Sequence, residues 1–424
     1  MRTWGTSYPV IAAFAFCGGV FAGACAARPA STATTAQRPI EYHAPTSTPA
    51  KAALPWAQST QSPQFVQPPQ DLYNLAKDCP RFESGLMRSA AWLAQRQTSH
   101  TDAVGTDELK FSLRQSGEPH TGQQSWVLSA AESIDPQLAA DRLQRWLISL
   151  HPRGELRCGI ATAQNELGNQ VIAVIAVDAL AELAPLPTAA RLGQWLTVNA
   201  HFLLPAAAAK VVVMGPNGTP RPIPTSSPTA GDVHASVSLD QPGPWLIQVL
   251  AQLDSGPSPA LEAMVFVDSA PSEDFTEQKA AGESSAAGIA DAAAALTAMA
   301  NAARSEAQLM PLVRDPQLDT LATQQAQAMR AGRQVSHNLG LGGPDQRMAA
   351  IGLEATDLGE ILSHAGDAIS AHRVIWASPS HRAALLEPRF TSLGIGVALD
   401  EDRSIWVCEL LTNFGSAGKI LPPP

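Results

Sequence analysis

Three short polar blocks stand in a fixed order in the last third of this 424-residue chain. They are Ser336-His337, Gly359-Glu360 and Ser378-Pro379-Ser380-His381-Arg382. Around them apolar residues first recur at helical spacing and then, near Gly394, begin to alternate, which is typical of helices followed by a strand hairpin. The pattern predicts one compact α+β domain that gathers two imidazoles and a carboxylate, the side chains from which polar cavities and metal sites are built.

Two helix starts in this region follow the same design. In Asp315-Pro316 an N-cap acceptor precedes a proline at the first helical position, and Ser378-Pro379 repeats this arrangement. The second start places His381 in the first turn of a helix, where the partial positive charge of the helix end disfavours imidazolium. We therefore expect a neutral His381 ring that is held on a rigid element and can act as a ligand.

The segments between the blocks make the combination specific. Arg304–Met329 reads RSEAQLMPLVRDPQLDTLATQQAQAM, and Leu393–Ala398 reads LGIGVA, followed by Ser404-Ile405-Trp406-Val407. In this order the blocks resemble the bacterial branch of the CAP superfamily (cysteine-rich secretory proteins, antigen 5 and pathogenesis-related proteins, also called SCP domains) over residues 286–416. The resemblance implies an α-β-α sandwich, an extracytoplasmic protein and a cavity lined by histidines and acidic residues.

Carried over block by block, the family cavity comprises three positions in this chain, namely His337, Glu360 and His381. Two departures from the family pattern reduce the number of cavity groups. The usual Gly-Glu-Asn is Gly359-Glu360-Ile361 here, and the acidic fourth position of many eukaryotic members falls at Ser378 or Pro379. At most three of the four cavity groups of the family are therefore expected.

Three interpretations of this set stay open. Three nitrogen and oxygen ligands with an open position suit Zn²⁺ or another divalent cation, which could activate a bound water. Glu360 could instead be a general base beside neutral histidines. The third interpretation is a hydrogen-bonded polar cluster that performs no catalysis. Because the motifs supply neither a nucleophile nor oxyanion donors, no catalytic residue is assigned beyond Glu360 as a candidate base.

The N-terminus has the features of an export signal. Residues 1–25 combine Arg2 with a short apolar segment, and Phe21–Cys25 resembles a lipoprotein cleavage box in which Cys25 would carry the lipid. The alternative is an ordinary signal that ends near Ala27. Residues 26–70 are rich in Ala, Thr, Ser, Pro and Gln, and this composition predicts a disordered tether.

Charge and cysteine content restrict the possible partners of the protein and the compartment in which it folds. The net charge is −10, and no basic run offsets it, so a nucleic-acid partner is not expected. Of the five cysteines, Cys79 and Cys158 could form a disulfide in an oxidising compartment, while Cys408 lies in a strand pattern and is expected to be a buried thiol.

Residues 71–182 follow an order of elements that matches the C-terminal domain. A helical pattern, a Gly-Asp loop, a tryptophan-containing helix at Leu138–Leu150, a proline stop and a hairpin succeed one another. The interval from Trp146 to Gly159-Ile160-Ala161 corresponds to the interval from Trp376 to Gly396-Val397-Ala398. No histidine stands where His381 would match, so we expect a degenerate CAP-like α+β domain without a His-carboxylate cluster. An unrelated α+β domain is the alternative.

Residues 188–270 change to a period of two. Val233, Ala235, Val237 and Leu239 alternate with polar residues, and turn signals recur at Pro216-Asn217-Gly218, Gln241-Pro242-Gly243 and Ser255-Gly256-Pro257. This pattern predicts an all-β, immunoglobulin-like sandwich, which serves as a spacer or partner surface. Residues 271–285 are small and acidic, as in a linker.

The sequence as a whole predicts a multidomain α+β protein that is secreted or lipid-anchored at the cell envelope. The leading functional hypothesis is non-catalytic binding of a lipid, glycan or protein through the His/Glu-lined cavity. A metal-dependent hydrolase acting on envelope polymers or peptides is the first alternative, and a structural module with a vestigial cavity is the second. Contact with a membrane is expected only through a lipid on Cys25.

Overall fold

The computed structural model describes residues 56–60, 64–100, 102, 104–131, 133–226 and 231–415. The predicted signal peptide at 1–25, Cys25 and the tether up to residue 55 lie outside these residues. Among the described residues, no helix combines the length and the apolar character that a membrane span requires.

The first domain builds a four-stranded sheet with helices on both faces. The elements from the start of the described chain to the end of this domain are β1 (Ser59–Thr60), α1 (Gln70–Leu75), β2 (Arg81–Phe82), α2 (Ser84–Gln97), α3 (Thr106–Gln115), β3 (Gln124–Ala130), α4 (Pro136–Ser149), β4 (Glu155–Gln164) and β5 (Gln170–Ala179). The strand order is β2-β4-β5-β3. In the predicted hairpin, Gly159 pairs with Ile175 and Ala163 pairs with Val171.

The alternation of side chains across this sheet explains its two cores. On one face Cys158, Ile160 and Val174 pack with helices α1 and α4, and on the other face Ala161, Ala173 and Ile175 pack with α2 and α3. Cys79 and Cys158 form a disulfide on the first of these faces.

The middle domain is a β-sandwich whose core consists of the alternating apolar residues of its two sheets. Its strands are β6 (Ala181–Leu183), β7 (Leu186–Pro187), β8 (Ala189–Ala190), β9 (Trp195–Phe202), β10 (Ala208–Met214), β11 (Pro220–Ile223), β12 (Asp232–Ser238), β13 (Gly243–Leu253) and β14 (Gly256–Val267). One sheet has the order β11-β10-β13-β14-β8, and the other has the order β12-β9-β6. The pairings are antiparallel except for β14 with β8. The sandwich begins before residue 188, because β6 already pairs with β9.

Two segments that were expected to be unstructured pack on the domains. The predicted tether extended to residue 70, but β1 pairs with β7, and the ring of Trp56 lies 4.9 Å from that of Phe266. The large apolar surface of Trp56 explains why its segment is held. In the predicted linker 271–285, Glu283 forms an ion pair with Arg373 at 2.6 Å.

The last domain is an α-β-α sandwich, as the sequence predicts. It contains a 3₁₀ helix at Glu283–Ala286, followed by α5 (Ala292–Glu306), β15 (Val313–Arg314), α6 (Pro316–Gly332), α7 (Pro344–Ala349), β16 (Asp357–Ala365), α8 (Ala368–Ala377), α9 (Pro379–Leu385), β17 (Ser392–Leu399) and β18 (Ile405–Asn413). The sheet order is β15-β17-β18-β16. Helices α5, α8 and α9 cover one face, and α6 and α7 cover the other.

The sheets of the first and last domains share one strand order. Each has a two-residue edge strand that pairs in parallel with the first strand of the hairpin, β2 with β4 and β15 with β17. Each ends on a strand that pairs antiparallel with the second hairpin strand, β3 with β5 and β16 with β18. The helices follow the strands in the same sequence in both domains, except that α9 of the last domain has no counterpart in the first.

Candidate functional site

His337 and Glu360 meet in the last domain. His337 lies in the loop after α6, Glu360 lies in β16, and His337 Nδ1 is 2.7 Å from Glu360 Oε1. Arg347 of α7 donates to Glu360 Oε2, and the Cys408 thiol contacts the same oxygen at 3.4 Å. The Glu360 side chain is only 1% exposed, so this carboxylate is buried with both of its oxygens engaged.

His381 lies in the first turn of α9, as the sequence predicts. Its Nδ1 is buried and has no hydrogen-bond partner among the described residues. Burial lowers the pKa of His381 to about 4, and the electrostatic influence of His337 and Lys110 acts in the same direction. The ring is therefore neutral at pH 7, but it forms no hydrogen bond with His337 or Glu360.

The predicted set His337, Glu360 and His381 is not among the close groups of ligand atoms that the described residues form. Within the described part of the chain, a group of three or more ligand atoms within 4.8 Å of one another occurs only at Glu83, Glu118 and His120. At Glu360 the donors His337 and Arg347 occupy the oxygens that a cation would need. The role of these three residues as a shared ligand site stays a prediction.

A turn of the middle domain covers the His337–Glu360 pair. Ser255, between β13 and β14, accepts a hydrogen bond from the His337 main-chain N–H at 3.0 Å. Gly256 follows with a φ of +100°, and a Cβ at this position would stand 2.6 Å from the Cβ of His337. The His337 side chain is 13% exposed, and the Glu360 side chain is 1% exposed.

A second His-carboxylate cluster lies in the first domain, where none was expected. Glu83 precedes α2, Glu118 and His120 follow α3, and Arg157 lies in β4. His120 Nδ1 is 2.5 Å from Glu118 Oε1, and Arg157 donates to Glu83 Oε1 at 2.8 Å. Burial raises the pKa of Glu83 to about 8, and the negative charge of Glu118 adds to this effect. The short Glu118-Pro119-His120 motif was the available sequence signal, but Glu83 is distant from it in sequence.

The three domains enclose a cleft of about 560 Å³. Its aromatic lining comes from each part of the chain: Trp56 from the N-terminal segment, Phe111 from α3, Phe266 from β14, Phe275 from the 271–285 segment and Trp376 from α8. The guanidinium of Arg382 lies 4.0 Å from the Trp376 ring centroid and covers one face of that ring. Lys110 and Lys279 add positive charge to the lining.

One comparison with known proteins finds its match in the last domain. A family model described as "CAP: Cysteine-rich secretory protein family" matches residues 297–410. The comparison with curated protein sequences found no match.

Several solved structures are similar to parts of this chain. An extracellular protein with an SCP domain from Bacillus anthracis is 19% identical, with 42% of this chain and 66% of that chain covered and a TM-score of 0.27. An outer surface protein from Borrelia burgdorferi is 22% identical, with coverages of 28% and 90% and a TM-score of 0.27. A cysteine-rich secretory protein from Staphylococcus aureus is 9% identical, with coverages of 55% and 83% and a TM-score of 0.24.

The family match agrees with the layered architecture of residues 286–415 and with the His337, Glu360 and His381 blocks. The C-terminal domain of this chain, matched over residues 297–410, therefore belongs to the CAP superfamily.

Proposed function

We propose that this chain is an extracytoplasmic, non-catalytic binding protein that holds an amphiphilic, lipid-like ligand in the cleft between its three domains. The observation that carries the proposal is the aromatic lining of this cleft, to which each domain contributes. Concave sites lined by aromatic groups with a few charged side chains are typical of small-ligand binding. Lys110 and Lys279 suit an anionic head group on the ligand.

The proposed ligand site is the cleft, and it differs from the cavity that the family resemblance suggested. His337 lies behind the Ser255–Gly256 turn, and Glu360 is neutralised by Arg347 and His337. These contacts favour a structural role for the pair. The metal-dependent hydrolase loses support because a general base needs a carboxylate oxygen that can reach substrate.

The location outside the cytoplasm is supported by the Cys79–Cys158 disulfide, since such bonds persist in oxidising compartments. We propose that residues 1–25 direct the export of the protein, with or without a lipid on Cys25. The acidic net charge of −10 fits an envelope ligand better than nucleic acid.

We further propose that residues 71–182 are a degenerate second CAP copy. The shared strand order, with a parallel edge strand in each sheet, supports this duplication. The middle domain is then an immunoglobulin-like accessory module that joins the two copies and forms one wall of the cleft through Leu246 and Phe266.

Binding of cis-parinaric acid, a fluorescent fatty acid, tests the proposed function. Phe275→Ala removes an aromatic wall outside any regular element and should weaken binding by about tenfold, the equivalent of about 1.4 kcal/mol. Lys110→Ala should weaken binding of the carboxylate form by a smaller factor. His337→Ala should leave the affinity unchanged, because this residue lies outside the lining of the cleft.

Two matched variants serve as controls. Trp195 is 68% exposed and Lys210 is also exposed, and neither lines the cleft. Trp195→Ala and Lys210→Ala should bind the probe like the unmodified protein. Binding that is absent, or that falls equally in the control variants, would contradict a ligand site in the cleft.

A further inference from the structure

The Glu83, Glu118 and His120 cluster converges on one point in the first domain. One ligand atom from each residue lies within 4.8 Å of the others, and all three side chains are buried. The cluster borders a cavity of about 470 Å³, whose lining also includes Arg88 and Ser116. Three protein ligands beside a cavity leave a coordination position open for water or another small ligand.

The hydrogen bond on the far side of the His120 ring fixes which nitrogen faces the cluster. His120 Nε2 lies 3.0 Å from the main-chain oxygen of Ala181. A carbonyl oxygen only accepts, so Nε2 carries the hydrogen, and a neutral ring presents the lone pair of Nδ1 to the carboxylates. Metal-binding histidines are commonly oriented by a main-chain carbonyl in this way.

Glu83 supplies an oxygen that no described donor satisfies. Its Oε2 is buried and has no hydrogen-bond partner, and its side chain is 2% exposed. Arg157 binds the other oxygen, Oε1, at 2.8 Å, which turns Oε2 toward His120 Nδ1 at 3.7 Å. A buried carboxylate oxygen without a donor is costly unless it is protonated or a cation reaches it.

Arg157 does not cancel the negative charge of the site. Its guanidinium also contacts Glu155 at 2.8 Å and pairs with Glu182. Three carboxylates, those of Glu83, Glu155 and Glu182, therefore share Arg157, with Arg81 as a further partner of Glu155 at 2.6 Å. The carboxylate oxygens of Glu83 and Glu118 that face His120 are left for a cation on that side.

We propose that Glu83 Oε2, a Glu118 carboxylate oxygen and His120 Nδ1 bind one divalent first-row transition-metal cation such as Zn²⁺, with the open position facing the adjoining cavity. One imidazole and two carboxylates form a ligand set that suits Zn²⁺. The site is separate from the His337–Glu360 pair and from the cleft, and it does not depend on the proposed ligand. In the metal-free protein a proton between His120 and Glu118 takes the place of the cation.

Titration of the metal-stripped full-length protein with Co²⁺ tests the proposal, because tetrahedral Co²⁺ has a visible absorption that reports its ligands. We expect one equivalent to give this band and Zn²⁺ to abolish it by displacement. His120→Gln and Glu83→Gln should each weaken Co²⁺ binding by at least about 100-fold, since loss of an outer partner alone costs about 10- to 100-fold. Metal content after dialysis provides a second readout.

Control variants separate this site from other histidines. His201→Gln removes an exposed pair in which Nδ1 lies 2.9 Å from Asp232, and His337→Gln alters the other His-carboxylate pair. Neither change should reduce the one-equivalent band. If His120→Gln and Glu83→Gln fold but bind Co²⁺ as before, or if the unmodified protein gives no band, the cluster is a proton-bridged structural network and the proposal is overturned.

Discussion

The buried carboxylates of the C-terminal domain differ in how their charge is neutralised. Glu360 has Arg347 and His337 as partners. Glu409, in β18, is fully buried, and neither of its oxygens has a hydrogen-bond partner among the described residues. It shares a sheet face with Val407 and Leu411, which pack in the apolar core below α5 and α8. Burial alone raises the pKa of Glu409 to about 8.

Replacing Glu409 by glutamine should change how stability depends on pH. Between its ordinary pKa of 4.5 and about 8, the folded protein holds this proton while the unfolded chain releases it. The free energy of unfolding therefore falls as pH rises through this window, by about 3 kcal/mol at pH 7 relative to pH 4. Glu409→Gln removes that slope, so denaturant unfolding should find the variant more stable at pH 7 and equally stable at pH 4.

Glu401→Gln, at an exposed turn position, is the matched control and should not alter the slope. A stability difference between Glu409→Gln and the unmodified protein that stays constant from pH 4 to pH 8 would show that Glu409 is ionised in the folded state.

The sequence predicted some of these residues and missed others for a physical reason. Short motifs identified His337 and Glu360, because each block fixes a local position in a recognisable domain. The partner Arg347 and the cluster of Glu83 with His120 depend on contacts between distant segments, for which spacing along the chain gives no signal. The sequence pattern also does not predict the burial of Glu409, because a single glutamate in a strand usually lies on the exposed face.

At the scale of elements, glycines in the hairpins of both outer domains allow a helix to cross the sheet closely. Gly159 in β4 faces the main chain of Leu86 in α2, and Gly394 in β17 faces that of Leu318 in α6. A Cβ at either glycine would overlap the helix backbone, which cannot move aside as a flexible side chain can. The two glycines also occupy the same register, one residue beyond the parallel pairing of the edge strand.

Gly159→Ala and Gly394→Ala should therefore each destabilise their own domain by about 3 kcal/mol or more, because overpacking forces the helix away from the sheet. Chemical denaturation of the full chain measures the loss. Gly105→Ala and Gly366→Ala, where a Cβ would meet no atom within 4 Å, are the controls for the first and last domains and should be near neutral. Equal losses in all four variants would rule out close helix-sheet contact as the cause.

Element types followed from the sequence better than element boundaries. The change from helical spacing to alternation located the β17–β18 hairpin, and the alternation at Val233–Leu239 located β12. The sandwich starts earlier than the pattern suggested, because β6 to β8 are strands of two or three residues, too short to display a period. The aromatic anchor Trp56 was missed because its neighbours have the composition of a tether.

At the scale of the whole molecule, the middle domain links the outer two through polar contacts. Arg114 of the first domain pairs with Glu262 of β14 at 2.7 Å, and Glu262 also accepts from Gln248 at 2.9 Å. Gln248 in turn donates to Ser378 beside α9 at 3.2 Å. No pattern within one domain encodes such a relay, since each of its residues looks like an ordinary surface group in sequence. The relay therefore connects the first and last domains through side chains of the middle domain.

A side chain at Gly256 should weaken the contact between the Ser255–Gly256 turn and His337. An alanine at this position destabilises the turn by about 1–2 kcal/mol, because a residue with a Cβ disfavours the left-handed backbone. Its Cβ also collides with the His337 Cβ. The hydrogen bond from the His337 N–H to Ser255 should then break more often. We expect hydrogen exchange at the His337 amide to accelerate by at least about tenfold, the equivalent of about 1.4 kcal/mol of local opening free energy. Gly193→Ala carries the same backbone cost at a φ of +78° but meets no neighbouring atom, so it separates strain from contact. If exchange at His337 is unchanged in Gly256→Ala, or rises equally in Gly193→Ala, the turn does not hold the middle domain over the CAP domain.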